Sequence, residues 1–313
     1  MKINKHKLYR LKLIKKYKIL FILIIIFLYY LIFFITSQIF KLKVCLCVIG
    51  KNENLYINEF IDYYKNIGYN HIYLYDNNDI NDEKFEDVIK EEINNGFVSL
   101  IDYRGYRGIN INPQLNAYKD CYKKNNKKYH WLSFFDIDEY LQLVPADLKI
   151  QQFLSNKRFK KCQNIKLNRL YYKSNNAIYY ENKPLQKRLN IPDAQINYGI
   201  KSTVRGNLSK NYWERAPTPH SSSIKVKCCS SSGKYVNYSS VANKPVDFKY
   251  AYLKHFQEKS FEEYCLKIKR GRPIKELQRN KFKEDAIKNL IENNKNNKEK
   301  MNIIKRIFNL TSY

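Results

Sequence analysis

The 313-residue chain is 44% hydrophobic, with 28 Tyr and 17 Phe against 9 Gly and 8 Pro, which excludes a collagen-like chain and global disorder. Its length allows one domain of roughly 250 residues with appendages. The formal charge of +28 is spread along the chain rather than gathered in a patch, so it favours small anionic substrates such as a nucleotide diphosphate, and no nucleic-acid partner is expected.

Residues 1–18 carry eight Lys or Arg and no acid, and residues 19–40 carry no charge. At about 1.5 Å per residue, a helix over 19–40 is long enough for the ~30 Å hydrocarbon core. The stretch is longer than the ~7–15 apolar residues of a cleaved signal, and no small-x-small site follows it. The sequence therefore predicts a basic cytosolic tail (1–18), a retained transmembrane anchor (19–40) and, by the positive-inside rule, a type II orientation. Asn-x-Ser/Thr triplets at Asn207, Asn237 and Asn309 fit lumenal exposure, although they arise readily by chance in an Asn-rich chain. All seven cysteines follow the anchor, and their odd number leaves at least one thiol unpaired or paired between chains. Cys45 and Cys47, two apart on one strand face, read as buried apolar residues. Without a Cys-x-x-Cys pair, a structural zinc site has little support.

From residue 44 the pattern alternates. VCLCVIG (44–50) is a buried strand, and Ile57, Phe60, Ile61, Tyr64 and Ile67 recur at helical spacing up to Gly68. HIYLYD (71–76) is a strand, Phe85, Val88, Ile89 and Ile93 mark a helix ending near Gly96, and FVSLIDY (97–103) is a strand. A helix over 113–125 and a strand WLSFFDID (131–138) complete a β-α-β-α-β-α-β series. Such a series implies a mostly parallel sheet with helices on both faces and ligands beyond the carboxyl ends of its strands. Those ends carry Lys51-Asn52-Glu53, Asp76-Asn77-Asn78 and Asp136-Ile137-Asp138-Glu139. Further on, 163–172 reads as a strand, 173–258 as a mixed region in which YAYLKH (250–255) is strand-like, and 260–270 as a helix opened by a Ser260-x-x-Glu263 capping box. Residues 276–310 are Lys/Asn-rich and helical in pattern, and read as a solvated appendage.

The segment HWLSFFDIDEYL (130–141) carries the chemistry. A mostly apolar strand delivers two carboxylates to its end, where burial disfavours charge unless it is paired. On extended backbone Asp136 and Asp138 point to the same side, so both can address a hard divalent cation bridging phosphate oxygens.

The strings VIGKNENLYINEFIDYYKNIGYNHIYLYDNND (48–79), QLNAYKDC (114–121), WLSFFDIDEYL (131–141), KSTVRGN (201–207) and LKHFQEKSFEEYCLKIKRG (253–271) together resemble glycosyltransferase family 92 and its family 2-like relatives among the GT-A glycosyltransferases. The resemblance spans most of 44–271. It implies an α/β, Rossmann-like GT-A domain over 41–275, with 276–313 left as the appendage. It also implies metal-dependent transfer of a sugar, galactose being the family's example, from a UDP-sugar or other nucleotide sugar to a glycan acceptor with inversion. Mn2+ would be the ion, and the Golgi or another secretory-pathway membrane the setting. Lys51, Asn52, Glu53, Asp76 and Gln114 would hold the nucleotide, Asp76 at the base or ribose. Asp136 would lie near the ribose and metal, and Asp138 would be the main metal ligand. Lys201, Arg205 and Lys259 would neutralise the departing diphosphate, helped by the N-terminus of the helix after Ser260.

His255, at the end of a strand, is expected as a metal or diphosphate ligand in preference to His220, which sits in a Pro/Ser-rich loop. Glu214 or Asp193 would deprotonate the acceptor, and Glu139 would orient it. Two other readings are open. One is a family 2-like transferase of surface polysaccharide synthesis with another donor. The other is a degenerate, membrane-anchored carbohydrate-binding protein, against which the intact Asp136 and Asp138 argue.

Overall fold

The computed structural model describes residues 5–39, 42–105, 112–209, 212, 219–221, 225–237, 239–271 and 276–310. The chain divides into two compact units, Met1–Leu42 and Lys43–Tyr313. In the first unit Lys5–Ile39 form a single helix, α1, so the expected tail and anchor share one element. The apolar side chains from Ile19 to Ile32 are exposed on it. The remainder of the expected anchor, the side chains of 33–39 and residue 40, lies outside the described residues. Among the described residues, no helix is long and apolar enough to cross a membrane.

The second unit begins with the alternating series: β1 (Val44–Gly50), α2 (Asn54–Asn66), β2 (His71–Asp76), α3 (Glu86–Asn94), β3 (Val98–Asp102), α4 (Pro113–Asn125) and β4 (Trp131–Phe134). Helix α2 follows its apolar spacing. Ile57, Phe60, Ile61 and Tyr64 are buried on α2, and Asn112 caps α4 by accepting from Leu115 N at 3.1 Å. The chain continues through β5 (Glu139–Leu143), α5 (Ile150–Leu154), β6 (Asn164–Tyr171), α6 (Leu185–Arg188), β7 (Ile200–Arg205), β8 (Cys228–Cys229), β9 (Tyr235–Val236) and β10 (Ala251–His255). It ends in α7 (Phe261–Arg270), α8 (Glu276–Asn294) and α9 (Lys298–Phe308).

The sheet runs in the order β3-β2-β1-β4-β7-β6-β10-β5, with β8 and β9 added beside β6. Strands β3, β2, β1 and β4 are parallel, as the sequence predicts. Beyond β4 the sheet is mixed rather than mostly parallel, since β4–β7, β6–β7 and β10–β5 are antiparallel. The strand–helix repeats that parallel crossovers require end at β4.

On one face Cys45, Cys47, Tyr73, Tyr75 and Phe134 pack against Ala117, Tyr118 and Cys121 of α4. Cys47 is disulfide-bonded to Cys121, which corrects its reading as a simple apolar residue, and Cys162 is bonded to Cys229. Cys45, Cys228 and Cys265 are free and buried. The C-terminal segment is not a solvated appendage. Ile303, Ile304 and Ile307 of α9 and Leu290 of α8 form a core with Cys265 and Ile268 of α7, so the domain extends past residue 275.

Candidate active site

The turn between β4 and β5 carries both aspartates. Extended backbone stops at Phe134, four residues short of the predicted end. The turn is closed by Glu139 N donating to Asp136 O and Asp136 N donating to Glu139 Oε2, both at 3.0 Å. Strand alternation therefore does not aim the two carboxylates at one object. Each has its own partners.

Asp136 is locked on three sides. Lys201 Nζ lies 2.6 Å from its Oδ2, while Gln114 Nε2 and Tyr118 OH donate to Oδ1 at 2.8 and 3.1 Å. Lys201, 1% exposed, is also 3.3 Å from Glu139 Oε2, and Arg169 is 3.7 Å from Glu139 Oε1. Burial alone would raise the Asp136 carboxyl, but Lys201 outweighs it and holds Asp136 below the ordinary carboxylate range. Burial wins at Glu139, which is raised despite Lys201. These contacts hold Asp136 against Gln114 and Lys201.

Asp138 has a different set of partners. Its Oδ1 lies 3.5 Å from His255 Nε2 and its Oδ2 lies 3.3 Å from Lys267 Nζ. The β5–β10 register, which sets Glu139 opposite His255, brings them together, and Phe256 N donates to Asp138 O at 2.9 Å. Burial would raise the Asp138 carboxyl, but Lys267, His255 and Lys259 together hold it well below its ordinary value. The His255 ring is buried against Tyr171 at 4.9 Å, and its Nδ1 has no hydrogen-bond partner among the described residues. Among the described residues no group of three or more His, Cys, Asp or Glu could hold a metal ion. The Asp138–His255 pair nevertheless fits the open kind of site, in which one or two protein ligands are completed by substrate phosphates and water. Two atoms each about 2.1 Å from one ion can lie up to ~4.2 Å apart, so a separation of 3.5 Å is compatible with a shared ion.

Helix α7 closes the site over the turn that follows β1. Arg270 in its last turn donates to Lys51 O at 2.8 Å and pairs with Glu53, which also lies 3.8 Å from Lys259 Nζ. Asn52 adopts a left-handed backbone, φ 50°, and its N–H donates to Asn78 Oδ1 at 2.6 Å. Lys51 pairs with Asp79 at 2.9 Å. Asp76 is buried at the end of β2, accepts from Asn78 N at 3.0 Å, and has its carboxyl raised by burial. Lys259 is buried beneath the Tyr56 ring, 4.0 Å from its centroid, and burial lowers its ammonium pKa.

A family model described as glycosyltransferase family 92 matches residues 40–305. The chain belongs to glycosyltransferase family 92. It is similar to a family 92 protein of Oryza sativa subsp. japonica, 27% identical over 114 residues, which cover 36% of this chain and 18% of the relative. A family 92 protein of Arabidopsis thaliana is 28% identical over 125 residues, 37% of this chain and 20% of the relative. The matches thus span about a fifth of these curated relatives. Among solved structures, S. aureus TarS is 11% identical, with 72% of this chain and 40% of that chain covered, but at a TM-score of 0.36 the likeness carries no argument.

The site of this family 92 member differs from the sequence expectation at the N-terminus of α7 and at Arg205. The first N–H groups of α7 are not open to a diphosphate. Phe261 N and Glu262 N donate to Ala177 O and Ile178 O at 2.9 Å, and Glu263 N donates to Ser260 Oγ at 3.3 Å. Arg205 is not brought to the cluster. The antiparallel register pairs it with Trp131, at the far end of β4, roughly 13 Å along the strand from Lys201 at ~3.3 Å per residue. There it stacks 4.4 Å over the Trp131 ring and donates to Cys162 O and Phe159 O at 2.6 and 2.9 Å. His220 donates through Nδ1 to Ile200 O at 2.5 Å, and burial together with Lys201 lowers its pKa to about 4. It is not part of the Asp138–His255 pair.

Glu214 lies outside the described residues. Asp193 sits beside Tyr171, whose carbonyl accepts from its N–H at 2.8 Å, and its carboxylate pairs with Lys173 at 3.0 Å. Arg169, Lys267 and Arg270 are site residues that sequence reasoning missed. Glu263, Lys267 and Arg270 fall at i, i+4 and i+7, so the helix predicted over 260–270 already placed them on one face. No local signal marked Arg169.

Proposed function

We propose that this family 92 glycosyltransferase moves a sugar from a nucleotide diphosphate donor, a UDP-sugar in this reading, to a glycan acceptor with inversion, in a GT-A domain. A divalent cation, Mn2+ in this reading, would be held by Asp138 and His255 together with the donor's phosphate oxygens. The observation that carries the proposal is the buried carboxylate–imidazole pair at 3.5 Å, with the positive charges of Lys267 and Lys259 acting on its carboxylate. When bound, the ion supplies charge stabilisation of the diphosphate as it leaves. Lys259 and Lys267 add positive charge on the same side, and Asp76 stands at a strand end where nucleotide contacts are expected. Lys201 and Gln114 keep Asp136 fixed beside them. Asp193, near Tyr171, is the described carboxylate proposed to take the acceptor's proton.

The charge-free stretch 19–40 behind a basic tail, and the exposed apolar side chains of α1, support a signal-anchor. The two disulfides fit an oxidising compartment. Together they favour a type II protein of the Golgi or another secretory-pathway membrane. Purified protein supplied with a panel of nucleotide sugars should hydrolyse or transfer at least one of them with Mn2+ and lose that turnover in chelator. Asp138→Asn should abolish it while leaving the protein folded. Full activity in chelator, or in Asp138→Asn, would refute the metal assignment.

A further inference from the structure

We propose that Lys267 acts as a resident counter-ion of Asp138, occupying the carboxylate until a diphosphate arrives, so that the protein binds metal well only together with nucleotide. The inference rests on the metal site proposed above, and Lys267 is a positioning residue in it. Its Nζ lies 3.3 Å from Asp138 Oδ2, the oxygen opposite the one that faces His255 Nε2. Among the described residues it also donates to the Gln257 carbonyl at 3.1 Å. The Lys267 side chain is 32% exposed against 9% for Asp138, so it has a route to solvent that its partner lacks. Its backbone, by contrast, is fixed. Glu263, one turn earlier on α7, is held by both Arg188 nitrogens at 2.6 Å and by the Ser260 cap. Only the flexible four-carbon stem is free to swing.

Electrostatics makes the exchange conditional. The ion pairs of the cluster connect four acids, Glu53, Asp136, Asp138 and Glu139, with five bases, Arg169, Lys201, Lys259, Lys267 and Arg270. Leaving the imidazole aside, the cluster is already one positive charge in excess. A divalent ion arriving alone adds two more in a largely buried place, where like charges repel strongly. A diphosphate arriving with it cancels those two and offers Lys267 a replacement anion. Metal and nucleotide should therefore reinforce each other's binding, with Lys267 as the residue that links them.

The test measures Mn2+ binding to the full chain by loss of the free Mn2+ signal in electron paramagnetic resonance, with and without UDP. Lys267→Met, and Lys267→Gln as a second variant, should bind Mn2+ alone at least about tenfold more tightly than the unaltered protein, within the ordinary range of coupling between two ligands. Lys267→Arg, which keeps the charge, should stay weak. With saturating UDP the unaltered protein should close most of that gap. If both neutral variants bind Mn2+ alone no better than the unaltered protein, the counter-ion role is wrong. If in the same experiments Mn2+ binds with UDP and Asp138→Asn abolishes it, the metal site itself survives. If no form binds Mn2+ even with UDP, the metal site and the role of Lys267 fall together.

Discussion

Replacing Glu263 with Gln is the sharpest test of how α7 is held over the site. The carboxylate, 1% exposed, accepts from both Arg188 nitrogens and from Tyr56 OH at 2.6 Å, and from Ser260 N at 2.9 Å. Burial would raise its pKa, but the Arg188, Ser260 and Tyr56 hydrogen bonds prevail and bring it from an ordinary 4.5 to about 2. A folded-state pKa below the unfolded one means stability that is fully present above about pH 4.5 and lost as the pH falls through about 2. That gap corresponds to roughly 3 kcal/mol. A separate argument agrees, because leaving one member of a buried ion pair alone costs about 3–5 kcal/mol.

Glu263→Gln keeps the shape and loses the charge, so it should destabilise the protein by about 3 kcal/mol at pH 7. The difference from the unaltered protein should shrink as the pH approaches 2. Equilibrium urea unfolding followed by tryptophan fluorescence at several pH values measures both. A variant within about 0.5 kcal/mol of the unaltered protein at pH 7, or a difference that does not shrink on acidification, would refute the reasoning. Because α7 carries Lys267 and Arg270 and follows directly on Lys259, turnover should fall with stability.

Lys201→Met strands Asp136 and Glu139 without their shared cation and should cost about 3–5 kcal/mol in urea unfolding. A loss below about 1 kcal/mol would mean that the pair is solvated. Arg205→Ala should lower the melting temperature by removing the stack on Trp131, yet leave the KM for donor within about twofold; a tenfold rise in that KM would return Arg205 to the donor site. Gly206 has no room for a side chain, since a Cβ there would meet Tyr129 O at 2.0 Å, so Gly206→Ala should markedly lower the yield of folded protein. Protease added to sealed microsomes should trim only the basic tail, and digestion of the large domain would overturn the proposed orientation.

What the sequence determined alone was everything written in short windows. The spacing of Ile57, Phe60, Ile61 and Tyr64 predicts α2, and the run VCLCVIG predicts β1. Ser260 and Glu263 form both bonds of their predicted capping box. Such features depend on neighbours three or four residues away. The DID segment and His255 were likewise visible as chemistry-bearing residues, but the partners of each were not. Pairing β5 with β10 sets Asp138 against His255, whereas pairing β4 with β7 sets Lys201 beside Asp136 and carries Arg205 to the opposite end. The same holds for the Cys47–Cys121 bond, for the N–H groups of α7 already taken by Ala177 and Ile178, and for the isoleucines of α9 buried on α7. Strand register and burial are set by contacts between distant segments, and a one-residue change of register would turn every side chain to the other face. No local window of sequence contains that choice.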